Sequence, residues 1–244
     1  MKKLLAAFSV GLVAYGAFAD ARFSEEKHYI TPIEIDLASP LQVPFTCPYS
    51  AWRVWGFRFD LIYGRSQTVR GFDVGLAGLL YGEMYGIQAT AFNWVESDVY
   101  GIELGLVSNY VRGDAGGVQF SIFANQDKGV FGGAQAALCN VDGGFYGAQL
   151  GLLNWNSGIS YGWQVGFANI NDNEFHGVTT GIVNLSSRAH GLMVGLVNEV
   201  DRYGDGVMIG LFNGAREFSG LQIGLFNVIQ TGPLPIMTLV NANF

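Results

Sequence analysis

Apolar and polar positions alternate along most of this chain, and they do so in a repeated frame. The frame is cleanest at Gly220-Leu221-Gln222-Ile223-Gly224-Leu225-Phe226-Asn227, and close copies begin at Gly71, Gly86, Gly101, Gly117, Gly133, Gly147, Gly162, Gly177, Gly191 and Gly206. Gly56 opens a degenerate first copy and Leu234 a last one without the glycine, giving thirteen copies spaced 14 to 16 residues apart. With the leading glycine counted as zero, positions 1, 3 and 5 are apolar in every copy except for Thr180 and Pro235. Side chains two apart share one face of a strand, and the glycine density would ruin a helix. The pattern predicts one strand per copy, with an unbroken apolar face and an opposite face of Gly, Gln and the few charges. A fixed period this short marks a repeated supersecondary unit.

Two all-β architectures suit such a unit. One is an antiparallel meander closed into a barrel of the outer-membrane type; the other is a parallel β-solenoid with coils of 14–16 residues. A straight eight-residue strand covers roughly 23 Å, which a flat solenoid would have to retrace in about seven residues. The inter-copy segments also lack a steady inward apolar pattern. Reach therefore favours the barrel. The thirteen repeat strands and an alternating segment at 30–44 make fourteen, the even number that single-chain outer-membrane barrels require. Apolar side chains would then face lipid and polar ones the lumen. Tyr or His before the leading glycine (Tyr85, Tyr100, Tyr146, Tyr161, His176, His190) would form an interfacial belt. Against the barrel, the stripe is short for a band about 25 Å tall unless the Tyr/His and Asn positions extend it. Phe131, Phe145, Phe175 and Phe218 would also crowd the lumen. For the solenoid, parallel stacking alone explains why the same Gly, Gln and Asn recur, and a three-sided coil of pentads would relieve the reach problem.

The N-terminus changes the picture by adding a location. Lys2-Lys3, a largely apolar run from Leu4 to Ala14, and Ala17-Phe18-Ala19 before Asp20 read as a bacterial signal peptide over 1–19. No cysteine follows the run, so no lipid anchor is expected there. Residues 20–29 read as a flexible N-terminus, 30–244 as a single repeat-built β domain, and 45–54 as a loop holding Cys47. Segments such as Asn171-Asp172-Asn173-Glu174 and Ser186-Ser187-Arg188 read as turns. The net charge of −7 and the lack of a basic cluster argue against nucleic acid. Two cysteines, Cys47 and Cys139, have no metal-type spacing; a disulfide and two free thiols both remain open.

Taken together, Leu41-Gln42-Val43-Pro44, the stretch from Gly56 to Gly64, the Gly-x-Gln-x-Gly-Leu-x-Asn units and the terminal Pro-Leu-Pro-Ile run resemble the bacterial surface-repeat family over roughly residues 31–244. That resemblance implies a surface or outer-membrane location, and no catalytic residues.

Little in the chain suggests chemistry, and the expectation is a non-enzymatic protein without a cofactor. Arg58, Asp60, Asp73 and Glu103 carry every charge on the polar face of the copies. In a barrel they would form a lumen patch that selects ions; otherwise they form a solvated or mutually paired face. His176 and His190 occupy equivalent positions and could share a metal, although tyrosine at that position in other copies favours a strand-end role. Outer-membrane lipid is the partner a barrel implies.

Overall fold

The structure, a computed structural model, describes residues 29–38, 41–44 and 52–244. The signal peptide, nearly all of the segment read as a flexible N-terminus, and Cys47 lie outside the described residues. Among the described residues fourteen strands form one sheet that winds upon itself. The first are β1 (Tyr29–Ala38), β2 (Leu41–Val43), β3 (Trp52–Ser66), β4 (Thr68–Leu80) and β5 (Met84–Val95). Then come β6 (Val99–Val111), β7 (Ala115–Ser121), β8 (Ala124–Ala136), β9 (Cys139–Asn156) and β10 (Ser160–Thr180). The last are β11 (Val183–Val194), β12 (Val197–Ile209), β13 (Phe212–Ile229) and β14 (Ile236–Asn243).

The pairing decides the architecture. From β3 to β13 every pairing is parallel, and the leading glycines align from coil to coil: Gly56 on Gly71, Gly71 on Gly86, and so on to Gly206 on Gly220. This is a parallel β-solenoid. The fourteen-stranded antiparallel barrel does not form, because neighbours do not alternate in direction. Nor does the first strand meet the last: β1, with β2 folded antiparallel on it, ends one side of the stack, and β14, antiparallel to β13, ends the other.

The reach argument fails because the octad is not straight. Leu225 and Phe226, adjacent in sequence, both face outward, and Asn227 then turns fully inward. The chain bends at positions 4 to 6, so one octad serves two walls. Backbone bonds continue around the corner, as in Leu196 N–H to Ile182 O (3.0 Å), Leu211 N–H to Leu196 O (3.0 Å) and Phe226 N–H to Leu211 O (2.9 Å). Segments read as turns are also strand: Asn171 and Ser186 are buried within β10 and β11, and Trp52 belongs to β3 rather than to a loop.

The glycines follow from the stacking. At position 0 they hold φ between 115° and 153°, and a Cβ on Gly162 would lie 2.0 Å from the carbonyl oxygen of Gly147 one coil below. No side chain fits there. At position 4 a Cβ on Gly166 would meet Asn154 Nδ2 at 2.8 Å and Asn169 Oδ1 at 3.0 Å, so these glycines make room for asparagine.

Ten asparagines from Asn93 to Asn227 form one column. Nine side-chain bonds of 2.6–3.0 Å link them, each Nδ2 donating to the Oδ1 of the next. Most Nδ2 groups give their second proton to a backbone carbonyl, such as Asn154 to Val165 O at 3.1 Å. With both donors and the acceptor used, burial costs an asparagine little. The rest of the interior is closed by apolar residues, with Phe131 stacked on Phe145 at 6.3 Å and Met208 packed near Phe218 and Ile229.

Candidate functional site: a buried charge cluster and an apolar outer wall

The polar face of the repeats is the inside of the coil. Gln135 donates to Gln119 (2.8 Å), Gln149 to Gln135 (3.1 Å) and Gln164 to Gln149 (2.8 Å), forming a second column. These amides also cross to the opposite wall: Gln135 to Asp127 (2.6 Å), and Gln149 and Gln164 in mutual bonds with Asn156 and Asn171. The interior is thus filled by its own side chains, and the lumen of the expected barrel has no counterpart among the described residues.

Three of the four charged residues singled out in the sequence come together here. Arg58 is fully buried and grips Asp73 with two bonds, Nε to Oδ1 at 2.9 Å and Nη2 to Oδ2 at 2.7 Å. Its Nη2 also lies 2.8 Å from Asp60 Oδ2. Burial, which would lower the guanidinium pKa, is outweighed by Asp60 and Asp73, which raise it. The cluster replaces the asparagine column: Gly64 and Gly78 stand where later coils have Asn. A Cβ on Gly64 would strike Asp60 Oδ1 at 1.9 Å, and one on Gly78 would reach Arg58 Nη2 at 2.7 Å.

Two members were not apparent from sequence. Glu34 and Asp36 of β1 enter the same interior, in register with Arg58 and Asp60. Burial, then the neighbouring Asp36, lifts Glu34 to about 7, and Ser66 and Gln42 donate to it. Burial raises Asp36 to about 6 and lifts Asp60 well above the usual carboxylate range. The alternation of the 30–44 segment was legible, but not which face would turn inward.

Glu103, the fourth candidate, belongs to a separate group. It accepts from Gln119 at 2.6 Å, and burial followed by Asp127 raises it to about 8. Burial raises Asp127 to about 7 and lifts Asp142 well above the usual carboxylate range. Asp127 and Asp142 fall in segments read as turns. Their signal was the periodic run Asp127, Asp142, Asn156, Asn171, Ser186, one polar residue per coil. All these carboxyls are enclosed in the core of the coil.

The outside carries the apolar face. Positions 1 and 3 project from one wall and position 5 from the adjoining corner, leaving Phe57, Phe72, Leu150 (58%) and Trp163 (68%) exposed. Phe57 and Phe72 stack at 5.1 Å between rings. The twelve glycine-led repeats, about 4.8 Å apart and each presenting some 15–20 Å, give a wall on the order of 1,000 Å². The largest apolar patch of an ordinary monomer is a few hundred Å². No charged residue occupies positions 1, 3 or 5 of any copy. Along one margin runs the Tyr/His column, with Tyr85 stacked on Tyr100 (5.4 Å) and Tyr146 on Tyr161 (5.1 Å). Beyond that column lies the charged edge, which includes Asp98, Asp114, Glu174, Arg188 and Glu217. In cross-section the coil is amphipathic.

Searches against protein-family models, curated proteins and solved structures find no match to this chain.

Proposed function

We propose that this protein is a non-enzymatic module of the bacterial cell envelope that lies on a membrane surface through its apolar wall. The observation that carries the reading is the charge-free wall of about 1,000 Å² on a coil whose core is already filled by amide ladders. Apolar side chains left in water cost free energy that a covering surface would recover.

Lipid fits better than other occupants for two reasons. The tyrosine column sits between apolar wall and charged edge, where amphipathic rings favour a membrane–water interface. A solenoid laid flat also keeps its backbone ladder satisfied, while its two end strands stay out of hydrocarbon, where open edges are not tolerated. The coil therefore rests on the bilayer instead of spanning it. The signal-peptide pattern at 1–19 supports export, and the net charge of −7 favours a zwitterionic surface over an anionic one.

Flotation with phosphatidylcholine vesicles tests this. The mature chain should float with the vesicles and resist release by high salt. Leu150→Arg and Trp163→Arg should each weaken binding about tenfold or more without altering the far-ultraviolet circular dichroism. A chain that stays behind as a monomer overturns the proposal. So does one that stays behind as a dimer, since a second copy would then cover the wall.

A further inference from the structure

The margin between wall and charged edge holds a group that the membrane reading does not use. The residue before the leading glycine forms an outward column, and over three coils it reads His176, His190, Asp205. Glu174 stands two residues before His176 and shares its face of β10. These side chains are a fifth to under a half exposed.

Their atoms converge. Glu174 Oε1 lies 2.7 Å from His176 Nε2 and 3.6 Å from His190 Nε2, and the three ligand atoms all fall within 4.8 Å of one another. The other carboxylate oxygen, Oε2, is taken by Arg188 at 2.9 Å, which fixes the carboxylate and leaves Oε1 aimed at the imidazoles. His190 Nδ1 sits 2.8 Å from Asp205 Oδ2. In neutral His190 that contact places the ring proton on Nδ1, because a carboxylate accepts and does not donate. Nε2 is then a bare lone pair facing a carboxylate oxygen. A cation can bridge that lone pair and the carboxylate oxygen.

We infer that Glu174, His176 and His190 form a binding site for one divalent transition-metal ion, with zinc as the best fit, and that Asp205 positions His190. Two imidazole nitrogens and one carboxylate oxygen form the donor set of an open zinc site, with a fourth position left for water or another ligand. Hard cations such as calcium and magnesium take oxygen donors and are disfavoured. Size agrees as well. Ligands about 2.0–2.1 Å from a tetrahedral zinc stand roughly 3.3 Å apart, between the 2.7 Å and 3.6 Å found here. The two rings are stacked 4.5 Å apart and only 13° from parallel. Both must therefore swing about Cβ–Cγ to bring their lone pairs together, which their partial exposure allows. The carboxylate on the far nitrogen of His190 is the outer contact that metal-bound histidines commonly make. The ion would tie β10 to β11 across the outer surface.

The column supplies its own control. Tyrosine occupies the same position in neighbouring coils, stacked as Tyr146 on Tyr161 and Tyr161 on His176 (4.5 Å), so His176→Tyr with His190→Tyr should keep the fold. The experiment is a calorimetric titration of the untagged chain with zinc chloride, with Cys47 and Cys139 changed to serine to remove thiolate competition. We expect one zinc per chain and a higher melting temperature with zinc present. The double tyrosine variant should lose that uptake. Asp205→Asn should bind about 10–100-fold more weakly with stoichiometry unchanged, as expected of a positioning residue. If the tyrosine variant proves unfolded, Glu174→Gln replaces it and should likewise lose stoichiometric uptake. Absence of zinc binding by the unsubstituted chain, or full affinity in either variant, overturns the inference.

Discussion

One interior column runs the length of the solenoid, yet its two ends are different substances. Near the N-terminus it reads Arg58, Asp73, Gln88 and Glu103, with Glu34 of β1 stacked on Arg58. Near the C-terminus it reads Met193, Met208 and Gln222. The backbone is the same in both places. What changes with the column is the wall opposite: Gln149 and Gln164 face Asn156 and Asn171, while the methionines pack with Val200 and Ala215. Polarity inside this coil is set locally, by whether each group finds its partner across the core and along the stack. A buried amide in a complete ladder is as acceptable as a methyl group; an incomplete ladder is not.

The largest effect is expected of Arg58→Met. Arg58 is the one buried arginine or lysine among the described residues, and without it Asp60 and Asp73 lose their counter-charge. Removal of one partner from a buried pair costs about 3–5 kcal/mol. Urea denaturation should show the loss, and hydrogen exchange should place it in β1, β3 and β4 while β11–β13 stay protected.

A reciprocal pair of substitutions probes the two ends of the column. Gln149→Met strands Asn156, Asp142 and the acceptor of Gln135, and should cost about 1–3 kcal/mol. Met208→Gln should cost less than about 1 kcal/mol, because Gln222 Oε1 has no partner and the new amide can donate to it. Thermal unfolding of both variants checks this. Equal losses would mean that the two ends are not tuned to their surroundings.

The smallest effect expected is on pH dependence. Burial puts Glu103 at about 8 and Asp127 at about 7, both above their unfolded values. The folded chain therefore holds protons that the unfolded chain releases. The contribution is complete below about pH 4 and fades as pH rises through 7 to 8. Melting temperature should fall by a few degrees between about pH 5 and pH 8.5, and Glu103→Gln, which cannot ionise, should flatten part of that slope.

Much of this was legible in the sequence. Period two gave the strands; an apolar exterior over a polar interior was read only for a barrel, and the coil keeps that orientation with a filled core in place of the lumen. Alternation did not give strand direction, being the same in parallel and antiparallel sheets; its one signal was the recurrence of the same Gly, Gln and Asn in copy after copy. The corner was the missing fact. A straight octad puts Asn227 on the apolar face; the bend after Gly224 turns it inward onto Asn213. Once that bend is known, the recurrence of asparagine and of the second glycine has one cause. The charged residues were found but not their company, because Glu34 and Asp36 reach Arg58 only through the parallel pairing of β1 with β3.

The unbroken glycine column also makes the length of this molecule a quantity that changes in steps. From Asn93 to Asn227 each coil presents the next with the same carbonyl, the same Asn amide and the same flat wall, so a gene segment encoding one repeat could be duplicated or lost there with the Gly and Asn columns kept in register. Each such event would lengthen or shorten the body by one strand spacing, about 4.8 Å. The antiparallel strands β2 and β14 are the terminators of that series, the two places where the template is not offered again.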